Sequence, residues 1–282
     1  MSSSTENPQV SPRASLHERR AGREIALEWI FGPLASALVP WLVRLRIPPV
    51  AVVLANATAG LAGAVALARG EFLIAAVLVQ VKTVLDNADG QLARVTGRVT
   101  LAGRYLDTEA DLVVNAALFA ALGHATGQPW LALAGFLALT LVLAADYNLS
   151  ELYREVRGVA QSPPATSGGR FESLLQAIYR IVFAPMDRLV RQLSARRLEQ
   201  TLAGEPASEV VTLAYNDRAT VTVLANLGLS TQLAVLGLCL LVDEPALYLW
   251  VTLGSVALLP LLQLRRERLA RRALRTRRRR GA

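Results

Sequence analysis

The sequence has 282 residues, of which 53% are apolar and only 18% are charged. A soluble domain normally carries about 25% charged residues, so this composition favours a chain that lies in lipid. Cys239 is the only cysteine, which excludes a disulfide framework and a thiolate metal cluster. Because His17 and His124 are the only histidines, a metal site would have to use oxygen ligands, which favours Mg²⁺ or Mn²⁺ over zinc.

The N-terminal segment divides near residue 20. Residues 1–20 lack an apolar stretch behind a basic start, so we expect no cleaved signal peptide and predict a flexible tail. Residues 21–46 carry apolar side chains at helical spacing, which predicts an interfacial, juxtamembrane helix. Gly32, Pro33 and Pro40 interrupt it, so a broken helix or a packed juxtamembrane segment is the alternative. The apolar positions are Ile30, Phe31, Leu34, Leu38, Trp41, Leu42 and Leu45.

Apolar stretches recur along the rest of the chain, each close to the ~20 residues that a helix needs to cross a bilayer. They predict an all-α integral membrane protein with six transmembrane helices in a domain over residues 47–264. The stretches are 48–68, 72–92, 103–123, 130–148, 219–241 and 246–264. The connection 150–217 is long and rich in arginine, and its apolar pattern predicts one or two helices beside the turn-favouring loop 161–169.

The distribution of arginine predicts the orientation of these spans. An N-terminus on the inside places both termini, the turn from Arg94 to Arg104 and the connection 150–217 on the cytoplasmic side. Arg69 is then the only basic residue in an outside loop. We therefore predict a multi-pass protein of the cell membrane.

Residues 265–282 form a strongly basic C-terminal tail. A tail that directly follows a membrane span is held near the surface, within the Debye length of ~8 Å at physiological salt. Binding to anionic lipids is therefore favoured over the rival interpretation, nucleic-acid binding, and we expect no nucleic-acid partner.

Four carboxylates lie where the second and third predicted spans meet the cytoplasmic side. Asp86 and Asp89 are three residues apart, and Asp107 and Asp111 are four apart, so each pair shares one face of its own helix. Carboxylates at membrane depth are costly unless they have partners. Metal ions are the natural partners, and two divalent ions ~3.5 to 4 Å apart would suit a phosphoryl transfer.

Small residues accompany the carboxylates: Gly90 and Ala93 follow the first pair, and Gly103 precedes the second. We expect them to let the two helices and a ligand approach closely. Together these residues fill the pattern D-x2-D-G-x2-A-R-x8-G-x3-D-x3-D. The chain therefore resembles the CDP-alcohol phosphotransferases. The matching positions are Asp86, Asp89, Gly90, Ala93, Arg94, Gly103, Asp107 and Asp111.

This resemblance implies metal ligation by all four aspartates, with Asp86 and Asp107 bridging two ions, Asp89 completing the first site and Asp111 the second. It also implies that Asp111 is the general base. The CDP moiety of the donor would contact the motif's small residues, its arginine and a threonine just outside it. These residues are Gly90, Ala93, Arg94, Thr100 and Gly103.

The implied reaction transfers a phosphoalcohol group, such as the phosphatidyl group of CDP-diacylglycerol, to an acceptor hydroxyl and releases CMP. The resemblance places this reaction in phospholipid biosynthesis and implies a homodimer with a cytoplasmic active site. One position departs from the family: the Pro-Asn-x-x-Thr pattern at the first span is replaced by Pro48-Pro49-Val50-Ala51-Val52, with Asn56 and Thr58 about a turn later.

Other residues and functions remain open at this point. Lys82 either approaches the metals or a substrate phosphate, or it offsets the acidic charge. Asp146, Asn148 and Glu151 could line an acceptor pocket, but polar residues are common where a span leaves the membrane, and this second interpretation is favoured. An intramembrane prenyltransferase with a diphosphate donor is one alternative function. A cation transporter with an acidic pathway is another, and it would need no nucleotide.

Overall fold

A computed structural model describes residues 22–159 and 168–281, and the predicted tail 1–20 lies outside the described residues. The described chain is helical, and a π-helical turn, Leu27–Phe31, leads into the first α-helix. We number the α-helices of the described residues in chain order. From α1 to α12 they are Gly32–Arg44, Pro49–Ala68, Phe72–Val95, Leu101–Thr126, Pro129–Glu155, Arg170–Val182, Ala184–Leu202, Glu209–Tyr215, Arg218–Ala225, Leu229–Leu241, Pro245–Val256 and Leu258–Gly281.

The N-terminal segment is helical, as predicted, and Pro40 lies inside α1 without ending it. A buried stripe on this helix, which includes Ala35 and Val39, packs with Ala88 and Leu92 of α3. The apolar residues on the other side are exposed, with Trp29 and Trp41 among them. The two-sided pattern suits a membrane interface, and that placement stays a prediction.

Four stretches are long and apolar enough to cross a membrane by length and composition: Pro49–Ala68, Pro129–Glu155, Glu209–Leu241 and Pro245–Arg277. The first two correspond to predicted spans, and the second continues seven residues beyond the predicted end at 148. The predicted span 219–241 is divided between α9 and α10 by a short turn. The fourth stretch contains the predicted span 246–264. Helices α3 and α4 cover the predicted spans 72–92 and 103–123, but their charged residues keep them outside the set of four.

The core of the bundle is formed by α2 to α5 with α10 and α11. Helix α2 packs against both α3 and α4, and Gly60 makes that packing possible, because a Cβ there would overlap the Val114 side chain. Buried Leu67, Val79 and Leu122 come from these three helices. Helix α2 therefore sets the positions of the two helices that carry the acidic motif.

The connection 150–217 contains α6, α7 and α8, one helix more than the upper prediction. Residues 161–167 of the predicted loop lie outside the described residues. Helices α7 and α8 pack against α12 through a small apolar cluster that includes Leu202, Val211 and Leu274. The basic C-terminal segment is thus a helix held by the connection.

Candidate active site

The acidic motif brings its carboxylates together at one end of α3 and α4. One carboxylate oxygen from each of Asp86, Asp89 and Asp107 lies within 4.8 Å of the others. Asp111 joins this group through Lys82, whose Nζ lies 3.3 Å from Asp86 Oδ1 and 2.6 Å from Asp111 Oδ1. Three of the four carboxylates therefore lie close together, and Asp111 is linked to them through Lys82.

Lys82 is fully buried between the two carboxylate pairs. Its two ion pairs support the reading in which it offsets the acidic charge. A neutral group also contacts the cluster, because Asn56 Nδ2 donates a hydrogen bond of 2.9 Å to Asp86 Oδ1. Asn56 is buried, whereas Thr58 is exposed and bonds to its own helix at the Leu54 carbonyl.

The remaining acidic oxygens fit a divalent cation. Asp89 Oδ2 and Asp107 Oδ1 are buried, and neither finds a hydrogen-bond partner among the described residues. A buried carboxylate without a partner is costly. Oxygen ligands packed this closely are the type that Mg²⁺ and Mn²⁺ prefer. Three of the four carboxylates that the motif singled out, Asp86, Asp89 and Asp107, therefore lie where they could hold a metal ion.

The small residues of the motif leave room on their own helices. The nearest atoms to a Cβ built on Gly90 belong to the guanidinium of Arg94, at 3.4 Å. At Gly103 the nearest is the Thr100 hydroxyl, at 3.0 Å. That hydroxyl accepts a hydrogen bond from the Gly103 N–H and caps α4. The expectation that these glycines bring the two helices into contact was wrong. The atoms nearest to Gly90 and Gly103 belong to residues of the same chain segment, and the close approach near the site is made by Gly60 of α2.

A cavity of about 460 Å³ opens beside the second carboxylate pair. It lies between α4, α5, α6 and α7, and Asp107 and Asp111 form part of its wall. Most of the remaining lining is aromatic or aliphatic, with a guanidinium from Arg104 at one side. The aromatic residues of the wall are Tyr105, Tyr147, Tyr179 and Phe183.

The far wall of the cavity comes from the connection and was not predicted. The Tyr179 ring contacts the Tyr105 ring at a tilt of 40°, with ring centroids 5.0 Å apart, and the Tyr179 hydroxyl donates a hydrogen bond to Asp187 Oδ2. Asn148 holds the other Asp187 oxygen at 2.6 Å and in turn accepts a bond from Arg191. Burial, together with the bond to Asp187, raises the pKa of the Tyr179 phenol, which therefore stays protonated.

Asn148 and Glu151, near the end of α5, take structural positions and are not part of the cavity wall. Asn148 donates a hydrogen bond to Asp187, and Glu151 forms an ion pair with Arg154. Arg157 lies over the Tyr153 ring at 3.7 Å. The guanidinium that does reach the cavity is Arg104 of α4, whose position just before the second carboxylate pair is the only signal for it in the sequence.

Comparisons with known proteins agree with this site. A family model described as CDP-alcohol phosphatidyltransferase matches residues 45–201, which is more than half of the chain. The bifunctional IPC transferase and DIPP synthase of Thermococcus kodakarensis is 28% identical over 117 residues. The match covers 38% of this chain and 27% of that protein, so it spans about a quarter of the relative's length. No solved structure matches.

Proposed function

The chain belongs to the CDP-alcohol phosphatidyltransferase family, and from this premise we propose that it transfers a phosphoalcohol group from a CDP-alcohol donor to an acceptor hydroxyl and releases CMP. The proposed donor is a CDP-linked lipid such as CDP-diacylglycerol, and the proposed context is phospholipid biosynthesis. The observation that carries the proposal is the cluster of Asp86, Asp89 and Asp107 beside a cavity that Asp107 and Asp111 both line.

The four aspartates are the proposed ligands of two divalent ions, with Asp86 and Asp107 shared between them. When bound, such ions neutralise charge on a diphosphate and stabilise a leaving phosphate oxygen. The orphaned oxygens of Asp89 and Asp107 support this assignment. Lys82 holds Asp86 and Asp111 from the buried side, which orients both carboxylates.

The donor's nucleotide is proposed to lie along the first carboxylate pair. Arg94 extends over Gly90, where its planar guanidinium can pair with a phosphate of the CDP moiety. Ala93, Thr100 and Gly103 complete the proposed contact surface. The small side chains leave space for a nucleotide close to the backbone.

The acceptor is proposed to arrive through the cavity beside Asp111. Asp111 takes the proton of the acceptor hydroxyl, and the resulting oxygen forms a bond to the phosphorus that carries the donor's alcohol group. The bond from that phosphorus to the CMP oxygen breaks, and CMP leaves. The support for this role is that Asp111 lines the cavity while Lys82 engages only one of its two oxygens.

The apolar helices and the family make this an integral membrane protein, and we propose that α3 and α4 complete a six-span bundle over residues 47–264. The active site, both termini and the connection would lie on the cytoplasmic side of the cell membrane. Exposed arginines along α12 support binding of its basic face to anionic lipids. Family precedent favours a homodimer.

Release of CMP tests the proposed function. The purified protein is incubated in detergent or vesicles with CDP-linked donors and a panel of acceptor alcohols, with Mg²⁺, with Mn²⁺ or with a chelator. We expect CMP release that requires a divalent ion and an acceptor. No release across a broad panel would turn the interpretation toward a prenyltransferase or a cation transporter.

A further inference from the structure

Helix α6 divides its surface into a face that contacts the protein, an exposed apolar face and an exposed polar face. Its residues advance about 100° each around the helix axis. Glu172, Leu175 and Tyr179 lie on the protein-facing side, and Leu175 and Glu172 are buried. The exposed part of the helix is therefore not uniform, and its two faces differ in chemistry.

The exposed apolar face includes Phe171, Leu174, Ile178 and Ile181, which are spaced by three, four and three residues. Their exposed fractions are 56%, 58%, 37% and 76%. Four large apolar side chains on one stripe of a short helix would be costly in water. We call this set the α6 stripe.

The exposed polar face is the third face of the helix, distinct from the α6 stripe and from the protein-facing side. It contains Arg170, Ser173, Ala177 and Arg180. Small and basic residues at these positions suit water and lipid headgroups. Arg188, which follows in α7, is also exposed. The charges that flank the α6 stripe are thus positive, which complements an anionic surface.

The position of α6 places the stripe at the end of the membrane bundle. The Tyr179 ring contacts the ring of Tyr105 in the first turns of α4, and α6 packs along α4. The neighbouring α5 is one of the stretches long and apolar enough to span a membrane. Its exposed Leu133 and Leu137 give it a lipid-type surface. The α6 stripe therefore lies near the level at which a spanning helix leaves the hydrocarbon region.

We propose that α6 is an interfacial helix whose stripe, Phe171, Leu174, Ile178 and Ile181, inserts into the leaflet next to the cavity. The apolar face of such a helix reaches roughly 5–10 Å into the boundary between headgroups and acyl chains. The opposite side of the same helix supplies Tyr179 to the cavity wall. Lipid contact on one face of α6 thus holds the wall of the cavity on the other.

Fluorescence quenching by lipids tests this placement in the full-length protein. Single cysteines are introduced at Leu174 and Ile181 in a Cys239→Ala background and labelled with an environment-sensitive fluorophore. Ser173→Cys and Ala177→Cys are the matched controls on the polar face of the same helix. Each protein is reconstituted into vesicles that contain lipids with a nitroxide near the headgroup end of the acyl chain. Monodisperse elution of every variant shows that it is folded.

We expect quenching several times stronger at Leu174 and Ile181 than at Ser173 and Ala177, with a blue-shifted emission at the first two positions. Equal quenching on the two faces would overturn the proposal, and so would the absence of quenching at both. A second copy of the chain is the rival occupant of the stripe. Efficient cross-linking of two copies through Ile181→Cys, with no lipid quenching there, would show that the stripe is a subunit interface instead.

Discussion

Lys82 and Arg266 are both buried cations, but oxygens of different kinds surround them. Lys82 lies between the carboxylates of Asp86 and Asp111, and its side chain has no exposed surface. Arg266 is 2% exposed, and its hydrogen bonds go to neutral oxygens on α7, α8 and the following turn and on its own helix. These oxygens belong to Tyr215, Gln263, Ser194 and Asn216.

The difference separates a site built for a ligand from a structural contact. All three guanidinium nitrogens of Arg266 donate hydrogen bonds to protein oxygens, and the guanidinium also lies 4.0 Å from the centre of the Tyr215 ring. Around Lys82, acidic oxygens of Asp89 and Asp107 remain buried without partners in the described part of the chain. One lysine cannot balance four carboxylates, so the acidic site calls for further positive charge. The surroundings of Arg266 do not.

The largest effect should follow from changing the proposed general base. Asp111→Asn removes a proton acceptor but keeps the side-chain volume, so we expect the rate of CMP release to fall about 10²- to 10⁴-fold with little loss of metal binding. Glu109→Gln is the matched control, because Glu109 lies on the same helix but outside the carboxylate cluster. A near-normal rate for Asp111→Asn would contradict its role.

Removal of Lys82 should destabilise the protein mainly when no metal is present. Lys82→Met leaves buried carboxylates without their cation, and the expected loss in the free energy of unfolding is about 3–5 kcal/mol. A divalent ion would restore part of the balance, so the loss should shrink when Mg²⁺ is added. Thermal unfolding in detergent, with a chelator and with Mg²⁺, measures both values. An equal loss of stability with the chelator and with Mg²⁺ would show that Lys82, like Arg266, is only a structural contact.

Removal of Arg266 should give a smaller loss that does not respond to metal. Arg266→Met leaves buried acceptors without a donor, which costs about 1–3 kcal/mol. The effect should be the same with the chelator and with Mg²⁺, because none of the hydrogen-bond partners of Arg266 belongs to the acidic cluster. If Mg²⁺ rescued this variant, Arg266 would have to be counted with the active site.

The smallest effects should come from single neutral partners of each cluster. Ser194→Ala removes one acceptor from Arg266, and we expect a stability loss of about 0.5–1.5 kcal/mol with unchanged CMP release. Asn56→Ala removes the hydrogen-bond donor to Asp86. We expect it to lower the rate of CMP release clearly while it leaves the unfolding temperature nearly unchanged. Both the rate of CMP release and the unfolding temperature are measured for both variants. A lower unfolding temperature with unchanged CMP release for Asn56→Ala would place Asn56 outside the site.

The parts of the site that follow from local spacing could be predicted from the sequence. Asp86 and Asp89 share a helix face because they are three residues apart, and the same argument holds for Asp107 and Asp111. Asn56 was harder, because its bond to Asp86 crosses thirty residues and its position departs from the family's pattern at the first span. Local periodicity carries no information about such a distance.

The connection shows the same limit more clearly. Its apolar residues predicted helices, but not that the Tyr179 ring would contact the Tyr105 ring or that Asp187 would line the cavity. These contacts depend on how α6 and α7 pack against α4 and α5. Similarly, the basic C-terminal segment was predicted as a tail at an anionic membrane surface, and its attachment through Arg266 could not be predicted from its composition.

Counting bound Mn²⁺ by electron paramagnetic resonance tests the central claim most directly. For the wild-type protein we predict two ions per chain, close enough for magnetic coupling, as expected at the ~3.5 to 4 Å separation of a two-metal site. Asp86→Asn and Asp107→Asn should lose this signal, whereas Glu109→Gln should keep it. The absence of bound Mn²⁺ in the wild-type protein, or binding that survives both aspartate substitutions, would contradict the assignment of the four carboxylates as a metal centre.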